Sequence, residues 1–150
     1  MKNIVVAIEF DEELSDIVDF TSLLLKDWES EVHVVHVYEP NCKLVEYAPH
    51  MVDAISSYED HLQEQASSVR GIVKKLIDNG IRSHGYMKPI NRNVADSILE
   101  FCSEKDADLL VVGSHHSGRM ERLILGSVAE RVIRQANLPV VAVPRTPADS

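Results

Sequence analysis

Residues 111–130 read VVGSHHSGRMERLILGSVAE, an apolar strand-like run that breaks at Gly113, passes two adjacent histidines, and resumes as a helix-like run after Gly126. A strand that ends in a glycine turn and is followed by a helix is the repeating unit of an α/β fold. Ligands of such folds gather beyond the carboxyl ends of the strands. The stretch therefore raises three possibilities for its loop: a phosphate cradle, a metal grip, or a plain connection.

Outward from this stretch, the same alternation recurs. NIVVAI (3–8), VHVVHV (32–37), ADLLVVG (107–113) and PVVAVP (139–144) are short apolar runs rich in β-branched residues, as expected of strands covered on both faces. IRSHGYM (81–87) is more polar and suits an edge strand. Between the strands, Leu14, Ile17, Val18, Thr21, Leu24, Leu25 and Trp28 follow helical spacing, with Asp11 as the expected N-cap. A longer stripe runs from Met51 through Ile55, Tyr58, Leu62, Ala66, Val69 and Val73 to Leu76, and Gly80 is placed to stop it. Val94, Ile98, Leu99 and Cys102, capped by Asn93, mark a third helix, and Val128, Ala129, Val132, Ile133 and Ala136 mark a fourth. Five strands and four helices in strict alternation predict a parallel sheet with right-handed crossovers and helices on both faces.

The 150 residues fit one domain, 1–150, with a frayed tail at 145–150, and their 45% hydrophobic content is enough for a sizeable core. Fifteen Lys plus Arg against 24 Asp plus Glu give a formal charge of −9, a field that repels nucleic acid and leaves a small anionic ligand as the charged partner to consider. No apolar stretch approaches the roughly 20 residues of a membrane span, and the N-terminus has no secretion-signal pattern. The expected location is the cytoplasm. Cys42 and Cys102 form no CxxC, and Cys102 falls on a helix's apolar side, which reads as a buried reduced thiol.

Gly126 and Ser127 precede the fourth helix, where unpaired N–H groups and the positive dipole end favour an anion. Ser127-Val-Ala-Glu130 also reads as a capping box, and the two roles can coexist. Arg119 and Arg122 are the loop's cations, and Arg119 is the candidate phosphate contact. His115 and His116 point apart in extended chain and lack a further ligand at a recognised spacing, so no protein metal site is expected. Neither a G-x-x-x-x-G-K-[ST] motif nor a G-x-G-x-x-G after the first strand occurs. The acids Glu9, Asp11, Glu12 and Glu13 evoke a receiver domain's metal pocket, but an acceptor aspartate is missing from YMKPIN, and no nucleophile elbow or other catalytic constellation is present.

With IVVAIEFDEE (4–13), VHVVHVYEP (32–40), DLLVVGSHHSG (108–118), LILGSVAERVI (123–133) and LPVVAVP (138–144) in view, the chain resembles the universal stress protein family over essentially its whole length. The family's ATP-binding branch carries G-x2-G-x9-G-[ST]. Gly113 and Gly126-Ser127 match that spacing, while His116 stands where the second glycine would be. The resemblance implies a Rossmann-like, adenine nucleotide alpha hydrolase-like fold with strand order 3-2-1-4-5. It implies adenine beside Ile8, Glu9 and Val37, with Glu9 accepting from ribose hydroxyls. Gly113 and His115 would lie near the ribose and first phosphate, His116 would face phosphate, and Gly126, Ser127, Val128 and Ala129 would lie near the later phosphates. The implied ligand is ATP or a related adenine nucleotide, with magnesium arriving on its phosphates, and the implied assembly is a homodimer joined through the last strand, 139–143. The expected function is a stress-response regulatory or signalling module that binds nucleotide, with at most slow hydrolysis. The alternative is a protein interaction module of the same fold that binds none.

Overall fold

A computed structural model of the chain describes residues 2–9, 14–40, 52–114 and 125–144. Five strands alternate with four helices: β1 (Lys2–Ala7), α1 (Leu14–Leu25), β2 (Ser30–Tyr38), α2 (Val52–Asp78), β3 (Arg82–Pro89), α3 (Val94–Glu104), β4 (Leu109–Gly113), α4 (Ser127–Gln135) and β5 (Val140–Val143). All pairings are parallel, in the order β3-β2-β1-β4-β5. The polar third strand takes a rim, as its composition predicts, and the apolar β1, β2 and β4 fill the interior.

Side-chain alternation divides the core between the two faces of the sheet. Ile4 and Val6 of β1, Val32 and Val34 of β2, and Val111 of β4 pack with Ile17 and Val18 of α1 and Val69, Ile72 and Leu76 of α2. On the other face Val5, Val35, Leu110 and Val112 meet Ala95, Ile98 and Phe101 of α3 and Ala129 and Val132 of α4. Full burial of one such aliphatic side chain contributes about 1.5–3 kcal/mol. The unbroken apolar runs in the sequence thus have a cause: every position of a central strand faces one helical layer or the other.

The helix ends follow local chemistry closely, with two corrections. Asn93 caps α3 as expected, its Oδ1 accepting from Asp96 N–H at 2.8 Å. Gly80 ends α2 at φ +84°, with Gly80 N–H donating to Ile77 C=O at 2.9 Å and Ile81 N–H to Leu76 C=O at 3.0 Å. That pair of bonds is a Schellman stop, and the positive φ is what requires glycine there. The first correction concerns Trp28, which helical spacing placed on the apolar stripe of α1. The helix ends at Leu25, and Trp28 turns outward, 47% exposed, its N–H donating to Leu25 C=O. The second concerns α4 and belongs to the site below. The expected cap Asp11, Met51 at the head of the long stripe, Cys42 and the tail 145–150 lie outside the described residues.

β1 leads to the strand on one side of it, and β4, its neighbour on the other side, leads away to β5. The chain therefore leaves β1 toward one side of the sheet and β4 toward the other, and ligands of open α/β sheets lie beyond the carboxyl ends of the strands at such a switch point.

Candidate functional site

The register brings most of the sequence-derived candidates to one end of the sheet. Ala7 pairs with Val35 on β2 and Val112 on β4, so Ile8 and Glu9 emerge level with Val37 and Gly113. Gly113 pairs in turn with Val143, and Ser114 N–H donates to Val143 C=O at 2.9 Å. Gly126 N–H then donates to Ser114 C=O at 2.9 Å. This last bond fastens the start of α4 to the end of β4, although its two partners are twelve positions apart in the sequence. His115, His116, Arg119 and Arg122, which fall between them, lie outside the described residues.

The start of α4 differs from the capping-box expectation. Glu130 N–H donates to Gly126 C=O at 2.9 Å, and that first helical bond makes Gly126 the N-cap, at φ −64° and ψ 153°, with no side-chain cap. Ser127 is therefore already helical and exposed, and Glu130 pairs with Arg134 one turn on, at 2.9 Å. A helix leaves its first N–H groups without carbonyl partners of its own, so the amides of Ser127, Val128 and Ala129 are the donors at this end. With the positive end of the helix dipole, they favour an anion. Ser127→Ala is accordingly expected to change unfolding free energy by less than about 0.5 kcal/mol, the range of an ordinary surface substitution. A loss of about 1 kcal/mol or more in denaturant unfolding would reinstate the cap.

Beyond the end of β1, Ile8 N–H donates to Val35 C=O at 3.0 Å, and Ile8 C=O accepts from His36 Nδ1 at 3.0 Å. His36 is only 8% exposed, and Gln65 of α2 hydrogen-bonds its ring as well. Sequence reasoning placed His36 on a strand and gave it no role. The available signal was a polar ring inside a run whose neighbours are buried on both faces, since a buried imidazole must find partners.

A second histidine lies on the opposite face of β2, away from this end. His33 Nδ1 shares a hydrogen bond with Tyr86 Oη at 3.1 Å, and its ring stacks on His84, which pairs with Glu31. Lys105 lies 4.4 Å from the centre of the Tyr86 ring. Burial depresses His33 below the usual imidazole value, with Lys105 and His84 adding to the effect, and burial likewise depresses His36. The unfolded chain, whose histidines take protons near pH 6.5, thus binds more protons than the folded one just below that pH. Stability is full above about pH 6.5 and falls as pH drops through the depressed values. The melting temperature should be lower at pH 5.5 than at pH 7.5, and a His33→Gln, His36→Asn double variant should flatten that slope. A wild-type melting temperature equal at the two pH values would refute the linkage.

Cys102, buried on α3, has its thiol pushed up to about 12 by burial, which suits a packing role. Among the described residues no cluster of three metal-ligating side chains occurs, and no helix is long and apolar enough to cross a membrane.

Comparison with known proteins places this geometry in context. The universal stress protein family model matches residues 1–144. The chain is similar to universal stress protein MJ0531 of Methanocaldococcus jannaschii, 34% identical over 80% of this chain and 68% of that one. It is also similar to universal stress protein G of Escherichia coli O157:H7, 32% identical over 95% of this chain and 98% of that one. Its match to the stress response protein NhaX of Bacillus subtilis, 30% identical over 57% of this chain, spans 49% of that protein. Among solved structures, a universal stress protein from Archaeoglobus fulgidus in complex with dAMP superposes with a TM-score of 0.65 at 23% identity, covering 95% of this chain and 98% of that one. A universal stress protein in complex with cAMP gives 0.64 at 20% identity, covering 97% and 98%.

Proposed function

Because this chain belongs to the universal stress protein family, we propose that it is an adenine-nucleotide-binding regulatory module of the stress response, whose ligand lies at the carboxyl end of the sheet. The observation that carries this reading is the Gly126 N–H to Ser114 C=O bond, which holds the start of α4 at the end of β4, the strand beside β1. Adenine would lie toward Ile8, Glu9 and Val37. The ribose and first phosphate would pass Gly113, His115 and His116. The later phosphates would take the N–H groups of Ser127, Val128 and Ala129 and the Ser127 hydroxyl, with Arg119 as a further cationic contact. That two similar structures are complexes with dAMP and cAMP supports the adenine class of ligand. In this reading ATP is the ligand and magnesium, if it takes part, arrives on the phosphates. Occupancy acts through binding, not turnover.

The regulatory output in this proposal runs through a homodimer. β5 pairs with β4 on one side, and among the described residues no strand pairs with its other edge. Val140, Val141 and Ala142 are only partly buried there. An open apolar edge of this kind is suited to pairing with the same strand of a second copy. The competing reading, an interaction module without nucleotide, is favoured by His116, which stands where the ATP-binding pattern has its second glycine.

Calorimetric titration of nucleotide-stripped protein separates the two. Saturable ATP binding at micromolar or lower concentration, weakening with AMP, would support the nucleotide reading and measure how much the later phosphates contribute. Titrations with and without magnesium would show whether the ion takes part. Absence of binding at millimolar nucleotide would leave the interaction module.

A further inference from the structure

We infer that His36 is a positioning residue for the base of the ligand: its imidazole takes the Ile8 carbonyl out of the β-ladder and leaves the Val37 main chain to meet the adenine edge. This rests on the nucleotide reading above and adds to it a device that shapes the site. Ile8 N–H donates to Val35 C=O, so the main chain of Val35 faces β1. Main-chain groups two residues apart on a strand face the same neighbour, so the N–H and C=O of Val37 also face β1. Had the parallel ladder run on, its next rung would have joined Val37 N–H to Ile8 C=O. The register instead stops at Ala7 and Val35, and among the described residues no main-chain bond joins Val37 to Ile8.

The occupant of that missing rung is His36 Nδ1, 3.0 Å from the Ile8 oxygen. His36 projects from the sheet on the face where α2 supplies Gln65, so the Ile8 carbonyl is drawn out of the sheet plane toward it. Two consequences follow from chemistry alone. A carbonyl oxygen only accepts, so Nδ1 carries the ring proton, and in the neutral ring Nε2 is the acceptor. The space between the end of β1 and β2 is then lined by one N–H donor and one C=O acceptor of Val37. Adenine presents a ring-nitrogen acceptor beside an amino donor, the complement of that pair.

The role differs from plain structural support, because removing the imidazole offers the protein an alternative: the ladder closes by one rung, and the site loses its donor. Two variants and two readouts test this. His36→Leu removes the donor, whereas His36→Asn places an amide N–H near the position of Nδ1. AMP affinity measured calorimetrically should fall about tenfold or more in His36→Leu, the scale of one lost hydrogen bond in a desolvated site. His36→Asn should stay within about threefold of wild type, well under one such bond. Hydrogen exchange followed by NMR reads the ladder without any nucleotide. In the wild-type protein the Val37 amide should exchange faster than that of Val35, and His36→Leu should slow it.

Equal AMP affinity in wild type and a folded His36→Leu overturns the inference. So does a wild-type Val37 amide as protected as that of Val35. A fast Val37 amide that slows in His36→Leu, in a protein with no AMP affinity, would overturn the nucleotide reading and with it the link to adenine, while supporting the hold of His36 on the ladder.

Discussion

Gly126→Val is expected to lower ATP affinity by about 10- to 100-fold in a protein that still folds, because one or two hydrogen bonds to a charged phosphate contribute about 1.5–3 kcal/mol. Gly126 is the N-cap of α4, and its N–H is committed to Ser114 C=O. Its φ of −64° and ψ of 153° lie in a region open to any L-residue, so valine adds no backbone strain. The effect would come from the branched side chain standing at the mouth of the helix, where a phosphate must approach the amides of Ser127, Val128 and Ala129. AMP, which lacks the later phosphates, should lose less affinity than ATP. Far-UV circular dichroism would establish that the variant is folded, and calorimetry would give the two affinities. Unchanged ATP affinity in the folded variant removes α4 from the site, and equal losses for ATP and AMP would move the contact from the later phosphates to the first.

The second large effect concerns stability and turns on the contrast between two glycines facing opposite ways. At Gly85 on β3 an added Cβ would stand 2.8 Å from Val69 Cγ1 and 3.2 Å from Val73 Cγ2, so α2 lies directly on the glycine. Gly85→Ala must push that helix off the sheet or force both valines from their rotamers, at a cost of about 1–3 kcal/mol. For a 150-residue chain, at about 2–4 °C per kcal/mol, the melting temperature should drop by about 2–12 °C. Gly71, on the exposed side of α2, has nothing within 4 Å of where its Cβ would be. The same substitution there should stabilise by about 0.5–1 kcal/mol, since alanine loses less backbone entropy than glycine in a helix. Melting curves of the two variants should therefore move in opposite directions. Two shifts of the same sign would contradict the close packing of α2 on β3.

Both substitutions exchange glycine for alanine, and no sequence pattern separates them. Gly71 and Gly85 are each a lone glycine inside a regular element. What distinguishes them is a helix that arrives from elsewhere in the chain, and only its docking makes one position crowded and the other open. The exposed Trp28 teaches a related lesson. Its spacing continued the stripe of α1, but the turn after Leu25 ends the helix first, and periodicity cannot register where a helix stops when no strong cap residue marks it.

Where the chemistry is local, the sequence was read correctly from particular residues. Asn93 announced a cap because its side chain reaches an N–H three residues on, and Gly80 announced a stop because the turn needs positive φ. Ser127 and Glu130 formed an equally good local pattern, yet the cap fell on Gly126. The bond that ties Gly126 to Ser114 decides where α4 begins, and it joins residues that only the finished sheet brings together.

The amino-acid sequence by itself determined the alternation of strands and helices, the polar rim strand, and the glycine spacing that led to the candidate site, because each depends on neighbours within a few residues. The tertiary structure alone decided which main-chain groups gather at the carboxyl end of the sheet, through the β1–β2 register, the anchoring of α4 to β4, and the His36 bond to Ile8. The physical reason is that a main-chain donor is identical at every residue. Whether it closes a ladder, caps a helix or meets a ligand is set by the partner that the fold brings to it.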